Sequence, residues 1–195
     1  MVNLTKIYTR TGDTGTTRLG SGDAVAKIDA RVDAFGDVDE TNAAIGVVLS
    51  AALSPLTQRL LKPVQNDLFD LGADLCVPVS APTGGRPPLR VTSAHVDRLE
   101  IAIDAANADL GDLRSFVLPG GTAAAAWLHM ARTVCRRAER RAWELVADVE
   151  EGAVNEQALK YLNRLSDLLF VLSRVENAAS GVEDVLWQPG GDVSP

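Results

Sequence analysis

The apolar residues Leu56, Leu60, Val64, Leu68, Leu71 and Leu75 step by four, four, four, three and four. That spacing lays one stripe along an α-helix, whereas a half-buried strand would alternate with a period of two. The helical period recurs four more times. Val32, Phe35, Val38, Asn42, Ile45 and Leu49 carry it in a helix beginning near Asp29, and Val96, Leu99, Ile103, Ala106 and Leu110 carry it in a third, with Thr92 or Ser93 as its cap. A fourth helix is predicted from about Thr122 to Val149. A fifth runs from about Glu156 to Ser180, with Leu159, Leu162, Leu165, Leu169, Leu172 and Val175 on its buried face. Pro63 sits inside the second segment and predicts a kink or a later start. Five amphipathic helices with few strand signals predict an all-α fold, a five-helix bundle.

The remaining segments read differently. Residues 1–27 contain Lys6-Ile7-Tyr8-Thr9-Arg10-Thr11-Gly12-Asp13-Thr14-Gly15-Thr16-Thr17, followed by Gly20 and Gly22, a composition that forms turns with free backbone N–H groups. Residues 77–90 hold Pro78, Pro82, Gly84, Gly85, Pro87 and Pro88 and predict a loop. A chain of 195 residues suits one core, so the expected organisation is a single domain: a loop over 1–27, a bundle over 28–180 and a flexible tail over 181–195.

A net charge of −7 argues against general nucleic-acid binding, which needs a broadly basic surface. No apolar run is long enough to span a bilayer, and no signal-peptide or presequence pattern opens the chain, so the expectation is no membrane and a cytoplasmic location. Cys76 and Cys135 match no metal spacing and read as small core residues.

Against this acidic background, Arg132, Arg136, Arg137, Arg140 and Arg141 crowd into less than three helical turns, with Arg132, Arg136 and Arg140 four apart on one face. Two readings are open: a solvated, salt-bridged face, or a polyphosphate site, because guanidinium groups grip phosphate bidentately and stay charged at any working pH. The Thr/Gly segment is either a mobile terminus or a phosphate cradle built from amides and hydroxyls. Its glycines do not have P-loop spacing. Asp37, Asp39 and Glu40 could serve as acid and base, as metal ligands or as partners for arginine. Neither His95 nor His129 follows a Glu by three residues, which argues against a di-iron carboxylate site. His129 reads as a packed residue, and Asn163, in an apolar helix, as either a structural bridge or a ribose or adenine contact.

Four blocks, Lys6–Thr17, Phe35–Gly46, Phe116–Arg141 and Tyr161–Arg174, together closely resemble the PduO-type family of ATP:corrinoid adenosyltransferases. They span most of the chain in the expected order. The resemblance implies a ferritin-like up-down bundle assembled as a homotrimer with active sites between subunits, ATP under the N-terminal loop and Mg²⁺ on its phosphates. On this chain it implies loop contacts to ATP from Thr9, Arg10, Thr11, Gly12, Thr17, Arg18 and Lys27. Bundle contacts would come from Arg136, Arg137, Glu139, Arg140 and Asn163. Asp39 and Arg132 would form an intersubunit ion pair beside the corrin, with Phe116 and Phe170 at the lower face of cobalt and the tail around Trp187 a candidate to close over it. Arg10 stands where Lys is usual, and Thr41-Asn42-Ala43 replaces the commoner Leu-Asn-Ser.

The implied reaction is a displacement at C5′ of ATP by cobalt(I) of a reduced cobalamin, with triphosphate leaving. No proton moves in the key step, which agrees with the absence of a hydrolytic constellation. Arg132, Arg136, Asp39 and Phe116 are the residues expected to act nearest the chemistry. A flavin-type reductase and an adenosylcobalamin-dependent enzyme are the implied partners. A nucleotide sensor or cobalamin chaperone would keep the arginine stripe and the loop but release no triphosphate.

Overall fold

The computed structural model describes residues 7–81 and 87–190. Lys6, the Pro82, Gly84 and Gly85 part of the expected loop and the last five residues of the expected tail lie outside them. The described residues form a hairpin of β1 (Thr16–Arg18) and β2 (Ala24–Ala26), followed by α1 (Ala30–Leu49), α2 (Pro55–Cys76), α3 (Ser93–Asn107), α4 (Ala123–Asp148) and α5 (Glu156–Ala179).

Each helix starts where a short polar side chain can replace a missing backbone partner. Asp29 accepts from the Arg31 N–H at 2.9 Å, Thr122 from the Ala125 N–H at 3.1 Å and Asn155 from the Gln157 N–H at 3.1 Å. Ser54 caps α2 ahead of Pro55, which suits the first helical position because its missing N–H would be unpaired there anyway. Before α3 the Thr92 N–H donates to His95 Nδ1 at 3.2 Å. The third helix stops at Asn107, short of Leu110. Pro63 neither delays nor ends α2, which is continuous from Pro55. The residue is exposed, so the carbonyl its ring deprives of a donor faces solvent.

Helix α4 packs on both α1 and α5; α1 also packs on α2, and α5 on α3. One apolar cluster joins them, including Val38, Ile45, Leu61, Leu68, Leu71, Leu128, Leu145, Leu162, Leu165 and Leu169. Leu165 has no exposed surface, so its truncation to Ala is expected to cost about 2–5 kcal/mol. Several polar groups inside are paired. Buried Arg31 donates to the Leu75 carbonyl at 2.5 Å, closing the end of α2, and burial lowers its pKa despite Asp29 nearby. Asn42 donates to the Gln65 carbonyl at 3.1 Å, and the Tyr161 hydroxyl donates to Asp67 at 2.8 Å.

Two segments depart from the sequence reading. The glycine-rich segment contains a short antiparallel hairpin with Thr17 opposite Val25. The stretch expected to open a flexible tail is instead tied down: Val117 and Leu186 form an antiparallel bridge, the Leu118 N–H donates to the Val185 carbonyl at 2.8 Å and the Trp187 N–H to the Phe116 carbonyl at 2.7 Å. No helix among the described residues is long and apolar enough to cross a membrane.

Candidate functional site

Phe116, Arg132 and Phe170 come from a loop and two helices, and the fold brings them to one cavity of about 770 Å³. Leu113, Arg114, Ser115, Val117 and Trp187 complete its lining. Phe116 is 78 % exposed, an unusual cost for a large aromatic side chain unless something apolar covers it. Trp187 lies tilted against it with ring centroids 6.0 Å apart. Arg132 is half-buried; desolvation, with Arg136 adding repulsion, lowers its pKa, and its Nε is buried without a hydrogen-bond partner. One turn earlier, His129 is 2 % exposed, meets Phe170 edge-on at 6.1 Å and leaves both ring nitrogens unpartnered.

The groove between α4 and α5 continues away from that cavity. Arg136 and Arg140 follow on α4, exposed and without a carboxylate partner among the described residues. Glu139 accepts from Asn163 Nδ2 at 3.1 Å, so two residues expected at the nucleotide do meet. Arg164 donates to Asn163 Oδ1 at 2.5 Å and to Glu100 at 2.7 Å. Burial raises the Asp167 pKa, against the opposing pull of Arg164 and Arg136. A second cavity, of about 620 Å³, opens beyond Glu139 and Asn163, with Trp143, Val146 and Leu159 on its apolar side. At 1.5 Å rise per residue, Arg132 and Glu139 are about 10 Å apart along α4, so the cavities sit within one small molecule's length of each other.

Arg137 points elsewhere. It pairs with Glu40 and lies 3.6 Å from Asp37, both on α1, and the Glu40 hydrogen bond is the main reason its pKa is raised. Asp39 on α1 is exposed and makes no ion pair with Arg132 within the chain.

The N-terminal candidates gather separately. Lys27 reaches over Gly12, where an added Cβ would lie 3.1 Å from the lysine Cε and 3.2 Å from Nζ. Thr9 and Thr11 hydroxyls are 2.9 Å apart, and Arg18 donates to the Gly22 carbonyl at 2.9 Å across the hairpin turn. Arg10 adopts φ 62°, a left-handed conformation that costs a non-glycine residue about 1–3 kcal/mol, and its guanidinium lies 5.6 Å from the Tyr8 ring centroid. The hairpin is tied to the end of α2, where the Gly20 N–H donates to Cys76 Sγ at 3.0 Å. Cys76 is therefore half-buried, whereas Cys135 is fully buried and its thiol pKa is raised by desolvation. Among the described residues, no hydrogen bond or ion pair joins this loop to Arg136, Glu139, Arg140 or Asn163.

The family model for cobalamin adenosyltransferases matches residues 7–176, covering the loop, the arginine stripe and Asn163. The chain belongs to this family. Its relatives include the corrinoid adenosyltransferase of Mycobacterium tuberculosis, 56 % identical over 193 residues, or 98 % of this chain and 97 % of the relative. The corrinoid adenosyltransferase of Mycobacterium leprae is 54 % identical over 195 residues, 97 % of this chain and 99 % of the relative. The fold also superposes on a variant PduO-type ATP:corrinoid adenosyltransferase from Lactobacillus reuteri, complexed with cobalamin and ATP, with a TM-score of 0.85 and 36 % identity over 94 % of this chain and 99 % of that one.

Sequence reasoning did not anticipate Leu113, Arg114, Ser115 and Val117 in the cavity wall. Their only signal was adjacency to Phe116, in a segment without periodicity.

Proposed function

We propose that this family member transfers the 5′-deoxyadenosyl group of ATP to the cobalt of a reduced corrinoid. The observation carrying this reading is the gathering of Phe116, Arg132 and Phe170 at one end of the α4–α5 groove and Glu139–Asn163 at the other, with Arg136 between them and Arg140 beside Glu139, neither in an ion pair among the described residues. An exposed aromatic surface at one end suits a flat macrocycle, and a cationic row suits a polyphosphate.

In the reaction, the cobalt(I) electron pair forms the Co–C5′ bond as the C5′–O bond breaks, and triphosphate leaves with the electrons of the C5′–O bond. The protein supplies alignment and stabilises charge growing on the leaving group. Arg136, Arg140, Lys27, the loop amides and the hydroxyls of Thr9, Thr11 and Thr17 would hold the phosphates; Glu139 and Asn163 would fix the nucleoside. Mg²⁺ fits beside them as a phosphate-borne ion, since it commonly takes one or two carboxylates plus substrate phosphates, and Glu139 is a carboxylate at that place. It would neutralise phosphate charge. Phe116 and Phe170 would exclude water and the nucleotide tail from the lower face of cobalt.

Among the described residues no hydrogen bond or ion pair within the chain joins the loop to the stripe, and a second copy of the chain could supply one of them. A homotrimer with intersubunit sites answers this. It also gives the orphaned Nε of Arg132 a partner in Asp39 of a neighbouring copy. The location is cytoplasmic, cobalt(I) comes from a flavin-type reductase, and the product passes to an adenosylcobalamin-dependent enzyme. Incubation with ATP, Mg²⁺ and chemically reduced cobalamin should yield the adenosylcobalamin spectrum and stoichiometric triphosphate. Binding of both molecules without triphosphate release would mark a carrier instead.

A further inference from the structure

The wall that carries Phe116 and Trp187 is built from two non-helical segments, residues 111–122 and 182–187. They bridge each other at Val117 and Leu186, and Ser115 Oγ donates to the Trp187 carbonyl at 2.7 Å. Neither has a hydrophobic core of its own. A polar knot at the end of α5 ties both of them to the bundle.

Arg174, only 8 % exposed, donates from Nη2 to the Gly111 carbonyl at 2.7 Å, holding the start of the first segment. Buried Asn177 accepts from the Thr122 N–H at 2.9 Å, holding its end. Gly121 passes so close that a Cβ there would lie 2.2 Å from Asn177 Oδ1, and its φ of +94° is itself a glycine conformation. The second segment enters through Asp184: its carboxylate accepts from Arg174 Nε at 2.8 Å and from Asn177 Nδ2 at 3.1 Å, while the Val182 N–H donates to the Asn177 carbonyl at 2.9 Å. Three side chains thus set the position of both segments, and with them the separation of the Phe116 and Trp187 rings from Phe170.

We propose that Asp184 is a positioning residue for the corrin side of the reaction: through Arg174 and Asn177 it locks the Phe116–Trp187 wall in register with α4 and α5. The inference rests on reading Phe116 as the lower-face group. A buried guanidinium needs a carboxylate in fixed geometry, so loss of Asp184 releases Arg174 and Asn177 together. The nucleotide end, at Glu139 and Asn163, shares no hydrogen bond with this knot. Misplacing a reacting group by about 1 Å can lower a rate by about a hundredfold.

Asp184→Asn keeps the size and the acceptor for Asn177 but places an amide against Arg174. The expected result is a drop in corrinoid turnover of about tenfold to a hundredfold, with an unchanged KM for ATP and loss of the spectrum of four-coordinate cobalt(II), the species expected when Phe116 keeps water and the nucleotide tail off the lower face. Ser115→Ala cuts only the exposed tie to Trp187 and should weaken the same spectrum to a smaller degree without lowering the Tm. Phe116→Ala is the control. If it abolishes the spectrum while both other variants retain it, Asp184 does not position the wall. If ATP and corrinoid parameters fall in step with the Tm of Asp184→Asn, its role is purely structural and the proposal is overturned. If Phe116→Ala keeps the spectrum, the reading of Phe116 itself fails.

Discussion

Two flanks of α4 treat positive charge in opposite ways. Toward α1, Arg137 meets Glu40 and Asp37, and Arg141 meets Glu144 at 2.6 Å with Asp37 at 3.9 Å. Both guanidinium groups are held above their ordinary pKa by those carboxylates. Toward α5 the row His129, Arg132, Arg136, Arg140 forms no ion pair among the described residues, and in its buried part both His129 nitrogens and Arg132 Nε lack a hydrogen-bond partner there. Arginines one position apart on one helix form an ion-paired seam on one side and a row without ion pairs among the described residues on the other. Charge left uncompensated at a fold's expense points to a ligand or a partner subunit.

The largest expected effect is at the middle of the uncompensated row. Arg136→Ala should lower kcat by about a hundredfold, roughly 3 kcal/mol of transition-state stabilisation, as removal of one contact to a developing anion commonly does. Arg136→Lys should recover part of the loss, since it restores charge without the bidentate fork. Unchanged turnover in steady-state assays of triphosphate release would remove the distinction between the flanks.

The buried end of that row should show itself through pH. Burial, reinforced by Arg132 and opposed by Asp184, lowers the His129 pKa below 6.5 in the folded protein. The unfolded chain therefore takes up this proton first. The stability contribution is complete above pH 6.5 and falls as the pH drops, until folded His129 itself titrates. In denaturant unfolding against pH, His129→Leu should remove up to about 1.4 kcal/mol per pH unit from the slope in that window, the contribution of one proton. A slope identical to that of the parent would mean His129 is compensated after all.

Helices were legible in the sequence because their signals are local: a 3.6 period between short polar caps such as Asp29, Ser54, Thr122 and Asn155. The spacing also showed that Arg132, Arg136 and Arg140 share a face. It could not show that Arg137 turns to α1, because that depends on how α4 is rotated against its neighbour. The β1–β2 hairpin escaped because three-residue strands carry no period. The tie between Phe116 and Trp187 escaped because it joins segments about seventy residues apart, so a Gly- and Pro-containing tail read as free. Corrinoid chemistry was legible only through the four matching blocks.

A smaller effect is expected where the row meets the nucleoside. The Glu139–Asn163 hydrogen bond is half-buried and links α4 to α5. Single alanine substitutions should each raise the KM for ATP about fivefold, and the double variant should fall short of their product, with a coupling of about 1 kcal/mol. Additive effects would mean the two side chains act on the nucleotide independently.

The smallest effect should come from the neutralised seam. Arg141 already has Glu144 one turn away and is exposed, and an exposed pair of this kind contributes little because water screens it. Arg141→Ala should leave kcat and the KM for ATP within about twofold of the parent. Arg137 is the sharper test, because the resemblance gives it to ATP while its ion pairs give it to α1. If it belongs to the seam, Arg137→Ala will resemble Arg141→Ala in kinetics, and Glu40→Gln will have the same modest effect on Tm as Arg137→Ala. A loss matching Arg136→Ala would mean that Arg137 leaves Glu40 when ATP binds, and that the boundary between the flanks runs one residue closer to α1.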